Sequence, residues 1–587
     1  MSQQFSDVRV GNTSRSTFDL SHHQVTTSDF GYLIPVCYRD MVPNDDFVVT
    51  PSAFVRLAPL AFPAYSRVKV NFHSFFVPYR ILYPHWSEFI TQSVANTTIP
   101  PYFTKLDINA VLTNSDPQFP DFDSSAPSIP GVTPFRGVCY RLFSNLGINP
   151  DLFSNNSGIN PADRISAFPF LAYYRIWMDY FMDSNIYDHP SVEASFNYVI
   201  KDGGRINPLN IGSQFLYVRN CCYKKDYFTT AKLHPQAGSN PSSVTSSYDE
   251  ALLNALSGTQ TSSLLVGRDS SGNPIIRTSA AGSSNIPANF VSFTIEELRA
   301  ANSLQRYLER NNYVGSKIIN QILAHFGIAP NSVRLNMAEY LGGSSFPVQI
   351  GDVTSTTPVA DGVLNTVGLG AQAGKGIGSG KTETVRYHAT EHGCFITLMS
   401  IVPDTAYYQG LSRMFQKGVF GDAFDFYTPE FENLGYQEIL NKEVYVPTDM
   451  NADHYQAYDP DGIFGYSPRY SEYKFQYDVL AGDFVGNLAQ SAVMGSQMDA
   501  WHLFRKLFYD DDHPLRLDNS FVEIHNVRTD YDRIFQVTDN SLDHFYFNID
   551  VDVKATRPMV GFAEPTICEN NHEDGNSVNL PYGGTRL

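Results

Sequence analysis

The last long apolar stretch of the chain, "FYFNIDVDVKATRPM" from Phe545 to Met559, decides how the rest is read. Phe545, Phe547, Ile549, Val551 and Val553 alternate with polar residues. That period of two puts one face of a strand in a core and the other in solvent. The pattern recurs near the opposite end, where Val68, Val70 and Phe72 share a face in "RVKVNFHSFFV", residues 67–77. Around these lie further strand-like runs: "FGYLIPVCY" from Phe30, "DDFVVTPSAFVRL" from Asp45, "GCFITLMSIV" from Gly393, "KEVYVPT" from Lys442, "EYKFQYDVLAGDF" from Glu472 and "DRIFQV" from Asp532. Pro35, Pro43, Pro51, Pro59, Pro63 and Pro78 argue against long helices in the first of these regions. Strands at both ends, with helices and long loops between, predict a mainly β chain: an antiparallel sandwich closed by distant segments.

Three segments read as helices. In "ISAFPFLAYYRIWMDYFMDSN", Pro169 suits the first turn, and Phe170, Tyr173, Tyr174, Trp177 and Phe181 share a face that reads as packing. In "FTIEELRAANSLQRYLER", Thr294 and Glu297 form a capping box ahead of a stripe of Ile295, Leu298, Ala301, Leu304 and Leu308. In "SKIINQILAHFG", Ile318, Ile319, Ile322, Leu323 and Phe326 form another, with Gly327 as C-cap.

"GAQAGKGIGSGKTETVRYH", residues 370–388, resembles a phosphate-binding loop only superficially. Gly380, Lys381 and Thr382 supply its end, but Lys375 stands where the first glycine belongs, and the residues that follow read as strand rather than helix. It reads as a glycine-rich connector. Other chemistry fails similarly. His388 and His392 in "HATEHGC" are spaced too far apart along a strand for one zinc ion, and "DPDGIFG" from Asp459 has Ile463 at a calcium-ligand position, so it reads as a turn. Asp510, Asp511 and Asp512 could hold a divalent cation, against the plainer reading of a solvated acidic turn. The six cysteines form no C-x-x-C pair, and no nucleophile, base and orienting group come together. The expectation is no enzyme and no cofactor.

The 587 residues are 42% hydrophobic and 14% aromatic, ample for a packed interior, and no run is long enough to cross a bilayer. The start lacks a secretion signal. A net charge of −19 excludes bulk neutralisation of nucleic acid. The acid concentrates in Gly421–Asp483, which holds 13 acidic and 3 basic residues, a net of −10. Basic residues cluster locally in "YVRNCCYKKDYF", where Arg219, Lys224 and Lys225 alternate with Tyr217, Tyr223, Tyr227 and Phe228. Cation plus aromatic is what a single strand of DNA needs, so Arg219, Tyr223, Lys224, Lys225 and Tyr227 are candidate contacts; a strand edge with solvated lysines is the alternative. Residues 237–289 carry thirteen serines and five charged residues, and read as an insertion with one strand–turn–strand unit, "SLLVGRDSSGNPIIR".

In their order and spacing, "STFDLSHHQVTTSDFGYLIPV", "FFVPYRIL", "FPFLAYYRIWMDYFMDSN", "KKDYFTTAKLHPQAG", "FTIEELRAANSLQRYLERN", "RLNMAEYLGG" and "EHGCFITLMSIVPDTAYYQGLSRMF" resemble the major capsid proteins of the microviruses, most closely the gokushovirus branch. The resemblance implies an eight-stranded jelly roll with long insertions, assembled as pentamers into a T=1 icosahedral shell around circular single-stranded DNA. It also makes the glycine-rich stretch a loop, and residues 237–290 a projection at the threefold axes facing a host receptor; within it Asn254, Arg268, Asp269 and Asn273 are candidate host contacts, none of them carried over from the family residue by residue. It divides the chain into an arm (1–30), jelly-roll strands with a helical insertion (31–236), the projection (237–290), a second helical insertion with the glycine loop (291–383) and the remaining strands with a C-terminal arm (384–587). The implied partners are further copies of the chain, the genome, a small basic DNA-binding protein, a pilot protein and an internal scaffolding protein. The implied setting is a virion assembled in the bacterial cytoplasm, with no membrane insertion. The rival readings are a cell-surface or glycan-binding sandwich and an enzyme built on the glycine loop.

Overall fold

The computed structural model describes residues 14–60, 64–65, 67–92, 99–113, 134–154, 157–207, 214–238, 264–268, 274–278, 286–287, 295–331, 335–354, 372–418, 425–447, 458–485, 507, 515–524, 534–536 and 543–560. Ten strands build one antiparallel sheet: β1 (Ser16–Asp19), β2 (His22–Ser28), β3 (Ile34–Met41), β4 (Asp46–Leu57), β5 (Val68–Pro78), β6 (Glu339–Thr354), β7 (Gln372–Lys381), β8 (Val385–His388), β9 (Gly393–Pro403) and β10 (Phe545–Arg557).

The pairing resolves into two rows. In one, β2 pairs with β10, β10 with β4, and β4 with both β7 and β8. In the other, β3 pairs with β9, β9 with β5, and β5 with β6. The long β6 joins them: Glu339–Val348 lie along β5, and Gln349–Thr354 lie along β7. With β7 and β8 counted as one interrupted strand and β1 as a continuation of β2, this is the two-Greek-key arrangement of an eight-stranded jelly roll. The expected fold class is borne out.

Alternation sets the core. Phe545, Phe547, Ile549, Val551 and Val553 are all buried, as the period of two required, and meet Val70, Phe72, Phe395, Met399 and Ile401 of the opposite row. In the second row, β9 and the C-terminal half of β5 are buried on both faces. Phe75, Val77, Ile396 and Leu398 point the other way, into a helical layer containing Ile108, Leu142 and Leu171. That is why "GCFITLMSIV" is apolar at nearly every position, whereas β10 alternates.

Helix α1 (Phe168–Ile176) has its proline in the first turn and runs on as a π-type turn, Trp177–Phe181. Phe170, Tyr173, Tyr174 and Trp177 are buried in the helical layer, so the aromatic stripe is a packing face. Helix α2 (His189–Ile200), absent from the sequence reading, packs beside it through Phe196 and Ile200. The chain divides into two compact units, Met1–Leu233 with Ser316–Leu587, and His234–Gly315. Within the second unit, strands Leu264–Arg268 and Pro274–Thr278 pair antiparallel, as "SLLVGRDSSGNPIIR" suggested, and Ile286–Pro287 adds to them. That unit also holds α3 (Ile295–Val314), whose Leu308 carbonyl accepts a hydrogen bond from the Ala237 N–H at 3.2 Å. In the first unit, α4 (Ile318–Phe326) ends at Gly327, whose φ of +69° is the left-handed C-cap expected there.

Three expectations are corrected. Residues 372–381 are not a connector: they form β7, paired to β4 on one side and β6 on the other. Gly376, Gly378 and Gly380 point inward, where a Cβ would lie 2.6 Å from Leu57, 2.7 Å from Val55 and 2.3 Å from Phe346. Glycine is there because large neighbours already fill the space, not because the chain needs freedom. The second correction concerns "KEVYVPT" and "EYKFQYDVLAGDF", which contain the helical turns Asn441–Val444 and Ser471–Lys474 rather than long strands. Finally, His388 closes β8 while His392 lies beyond a bend, so the two do not share an extended run.

Candidate assembly surface

The basic-aromatic segment is irregular backbone whose aromatic side chains face inward. Arg219 is buried, its guanidinium lying over the rings of Trp177 and Tyr217 (both 4.4 Å) and Tyr174 (5.0 Å). Its backbone N–H donates to Tyr173 Oη at 2.8 Å, and that hydroxyl donates to the Leu33 carbonyl at 2.8 Å. Tyr223 and Tyr227 are buried as well; the Tyr227 hydroxyl donates to Glu443 Oε2 at 3.2 Å, and burial pushes its pKa upward. Such cation–π packing is worth up to about 2 kcal/mol when desolvated, which makes Arg219 a structural cation. Lys224 is exposed, and the half-exposed Lys225 pairs with the buried Asp183. Residues that alternate in sequence therefore separate in space: rings inside, lysines outside. Asn254, Asp269, Asn273 and Asp510, Asp511 and Asp512 lie outside the described residues, as do Cys568 and the capping residue Thr294; Arg268 ends a strand whose side chains do too.

A buried charge network holds the helical layer to the sheet. Arg175 Nε donates to Asp179 Oδ2 at 3.0 Å, while its Nη2 donates to Glu193 Oε1 at 3.2 Å and to the Asn336 carbonyl at 2.8 Å. Asp179 Oδ2 also accepts from the Ala338 N–H at 2.9 Å, just before β6 begins. Lys317, which caps α4, donates to the carbonyls of Asp179 (2.8 Å) and Met182 (3.3 Å). Burial raises the Asp179 carboxyl pKa and lowers that of the Lys317 ammonium. It lowers the His189 imidazole too, with Lys317 adding to the effect. Removing one partner strands the others, so the network fixes α1, α2 and α4 relative to the sheet.

That rigid frame carries unusually apolar surface. Ile318, Leu323 and Phe326 of α4 are exposed, with Ile328 beyond it, and so are Ile295, Leu298 and Leu304 of α3 within the second unit. The densest concentration is elsewhere in the first unit: Leu411, Met414, Phe415, Phe426, Tyr427, Leu434, Tyr473 and Phe475 are all exposed, Phe415 at 78%. These side chains come from three laced segments. Gln416 Nε2 donates to the Leu411 carbonyl at 2.7 Å, and the Gly418 N–H to Asp425 Oδ2 at 2.8 Å. Tyr470 Oη donates to the Phe426 carbonyl at 3.1 Å, and the Tyr427 ring packs on Tyr470 at 5.3 Å and Tyr473 at 6.3 Å. Lys417 sits 3.5 Å from the centre of the Tyr473 ring and pairs with Glu472 at 3.0 Å; Lys474 pairs with Glu432 at 3.0 Å. The sequence reading registered the acidity of this region but not its apolar surface, because its rings follow no period.

Among the described residues no cluster of His, Cys, Asp and Glu could hold a metal, and no helix is long and apolar enough to cross a membrane. His388 Nδ1 is paired with Asp46 at 2.6 Å, and His392 packs against Trp86. The "DPDG" segment is a turn: the Asp461 N–H donates to Asp459 Oδ1 at 3.1 Å, and Lys442 pairs with Asp461 at 2.6 Å. The described cysteines are all free thiols.

Comparison with known proteins bears out the microvirus resemblance. Residues 6–567 match the family model described as "Capsid protein (F protein)". The capsid protein VP1 of Chlamydia phage 1 is 26% identical, with 96% of this chain and 98% of that protein covered. The corresponding protein of Bdellovibrio phage phiMH2K is 27% identical over 96% and 97%. That of Spiroplasma virus 4 is 23% identical over 85% and 86%. A jelly roll, an exposed apolar surface built on a rigid frame and a match over nearly the whole chain lead to one conclusion: the chain belongs to the F-protein family of phage capsid proteins.

Proposed function

We propose that this chain is the major shell subunit of a small phage and self-assembles, as pentamers, into a T=1 icosahedral particle enclosing circular single-stranded DNA. The observation that carries the reading is the capsid-family match over residues 6–567, and the jelly-roll topology and exposed apolar surface support it. The role is structural, without catalysis. With a net charge of −19, the chain leaves most genome neutralisation to a small basic protein, and Lys224 and Lys225 are the local contacts the fold leaves at the surface. A pilot protein and an internal scaffolding protein complete the assembly, which takes place in the host cytoplasm. Residues 237–290, including Asn254, Arg268, Asp269 and Asn273, contact the host surface.

Native mass with negative-stain imaging tests the shell. Sixty copies of the 65.7-kDa chain give a particle of about 3.9 MDa before DNA, and five give about 330 kDa. A protein that stays monomeric across ionic strengths and with its scaffolding partner, and that binds carbohydrate, would replace the shell reading with a glycan-binding one.

A further inference from the structure

The loop between the π-type turn and α2 presents two polar side chains, Asp183 and Asn185, to two lysines. Lys225 meets Asp183 as an ion pair at the edge of solvent. Lys232 is placed differently: it is 6% exposed, and its Nζ donates to Asn185 Oδ1, the oxygen of a neutral carboxamide. Beside this pair, Ile186 and Ala231 pack into the apolar cluster of Phe228, Ile439 and Phe464. Burial pulls the Lys232 ammonium down to about 8, with Asp183 opposing and Lys225 adding to the shift. Near neutral pH roughly a tenth of such an amine is uncharged, against less than about a thousandth of an ordinary lysine. The uncharged amine is the nucleophile.

Both groups are held in place. The Lys232 N–H donates to the Tyr466 carbonyl and the Tyr466 N–H to the Lys232 carbonyl, each at 2.8 Å. Asp183 Oδ1 accepts the Asn185 N–H at 2.8 Å, and the Asp183 carbonyl accepts the Tyr187 N–H at 3.0 Å. Contact with Oδ1 leaves Nζ one bond short of the carboxamide carbon, and a turn about the broad Cβ–Cγ torsion of Asn185 presents the amide face to it. Groups held together in one molecule react as if at an effective concentration that reaches the order of 10⁵–10⁸ M when well oriented, which is the help an unreactive amide needs.

We propose that Lys232 and Asn185 join in an intramolecular isopeptide bond. The Lys232 Nζ attacks Asn185 Cγ; the Nζ–Cγ bond forms and the Cγ–Nδ2 bond breaks. One proton passes from Nζ to the departing nitrogen, which leaves as ammonia, and no oxidant or reductant is consumed. The bond ties together residues 47 positions apart and fastens the chain just before Leu233, where the first unit gives way to the second.

The test is a tryptic map of the full wild-type chain, unfolded after purification so that only covalent links survive. Trypsin does not cut after an acylated lysine, so the bond yields residues 176–201 joined to residues 226–268, one ammonia lighter than the two peptides together. Lys232→Arg keeps a donor for Asn185 but no nucleophilic amine, and the joined species falls at least tenfold. Separate peptides in the wild type, with cleavage after Lys232, overturn the proposal. Loss of ammonia from 176–201 alone, the mark of a succinimide at Asn185, overturns it too, as does a joined species that persists in Lys232→Arg. Because the bond lies within one chain, none of these results bears on the shell reading.

Discussion

Replacing Gly380 by alanine tests the account of the glycine strand, because the structure fixes the sign of the effect. A glycine in a strand ordinarily costs about 0.5–1 kcal/mol relative to alanine, so Gly→Ala should stabilise wherever there is room. At Gly380 there is none: the new Cβ would lie 2.3 Å from Phe346 Cδ1, 2.4 Å from Cγ and 2.7 Å from Cβ. Phe346 cannot swing aside freely, since its ring stacks on the buried Phe72 with centroids 6.1 Å apart. Forcing a methyl into a filled core costs about 1–3 kcal/mol, so the net expectation is a loss of up to about 2.5 kcal/mol after the entropic gain. Gly351, in β6, is the control, because nothing lies within 4 Å of its Cβ position; Gly351→Ala should be neutral or stabilising by up to about 1 kcal/mol. The assay is the urea midpoint of the dispersed chain, followed by aromatic fluorescence. A double-mutant cycle with Phe346→Leu should show a coupling of about 1 kcal/mol in the direction of rescue. If Gly380→Ala shifts the midpoint upward as Gly351→Ala does, β7 is a tolerant loop after all and the packing argument is wrong.

Other expectations concern buried groups. Arg219→Ala should cost about 2–4 kcal/mol in thermal unfolding through lost cation–π packing and the space left behind, whereas Lys224→Ala should change stability by less than about 0.5 kcal/mol. The pKa of His189 is lowered by burial and by Lys317 and Arg175, with the Glu193 and Asp188 carboxylates opposing, and that of His73 by burial alone. A depressed imidazole means that the unfolded chain binds the proton first, so stability falls as the pH drops below the ordinary histidine value of about 6.5 and levels off below the folded pKa. Melting temperatures across pH 5–7 should show that slope, and His189→Gln should flatten part of it. Burial pushes the Cys37 and Cys221 thiols up to about 12, so both should resist alkylation in the native protein and react in urea.

How far the sequence could be read followed from which physical signal each segment carried. β10 was legible because one of its faces is wet: Phe545 to Val553 alternate, and alternation is a local property. The packing stripe of α1 and the C-cap of α4 at Gly327 were legible for the same reason, each being written within a few residues. β7 was not, since its inward positions are glycines and the apolar alternation that marks a strand is missing on the buried side. Helix α2 went unread because only His189, Phe196 and Ile200 are buried along it, too thin a stripe to stand out. The basic-aromatic segment misled for a third reason: spacing cannot tell a ring that offers itself to a base from one that cages Arg219.

The sequence by itself determined that the chain is mainly β, that its sandwich is closed by strands from opposite ends, and that its ordered motifs resemble a capsid family. These rest on period, turn chemistry and motif order, all of which survive in one dimension. Only the tertiary structure decided that Arg219 is a core cation, that β7 is an inner strand, and that rings scattered from Leu411 to Phe475 form one exposed surface. Each of these depends on which distant side chains share a volume, and in a fold whose neighbouring strands lie hundreds of residues apart in the chain, no local pattern encodes that.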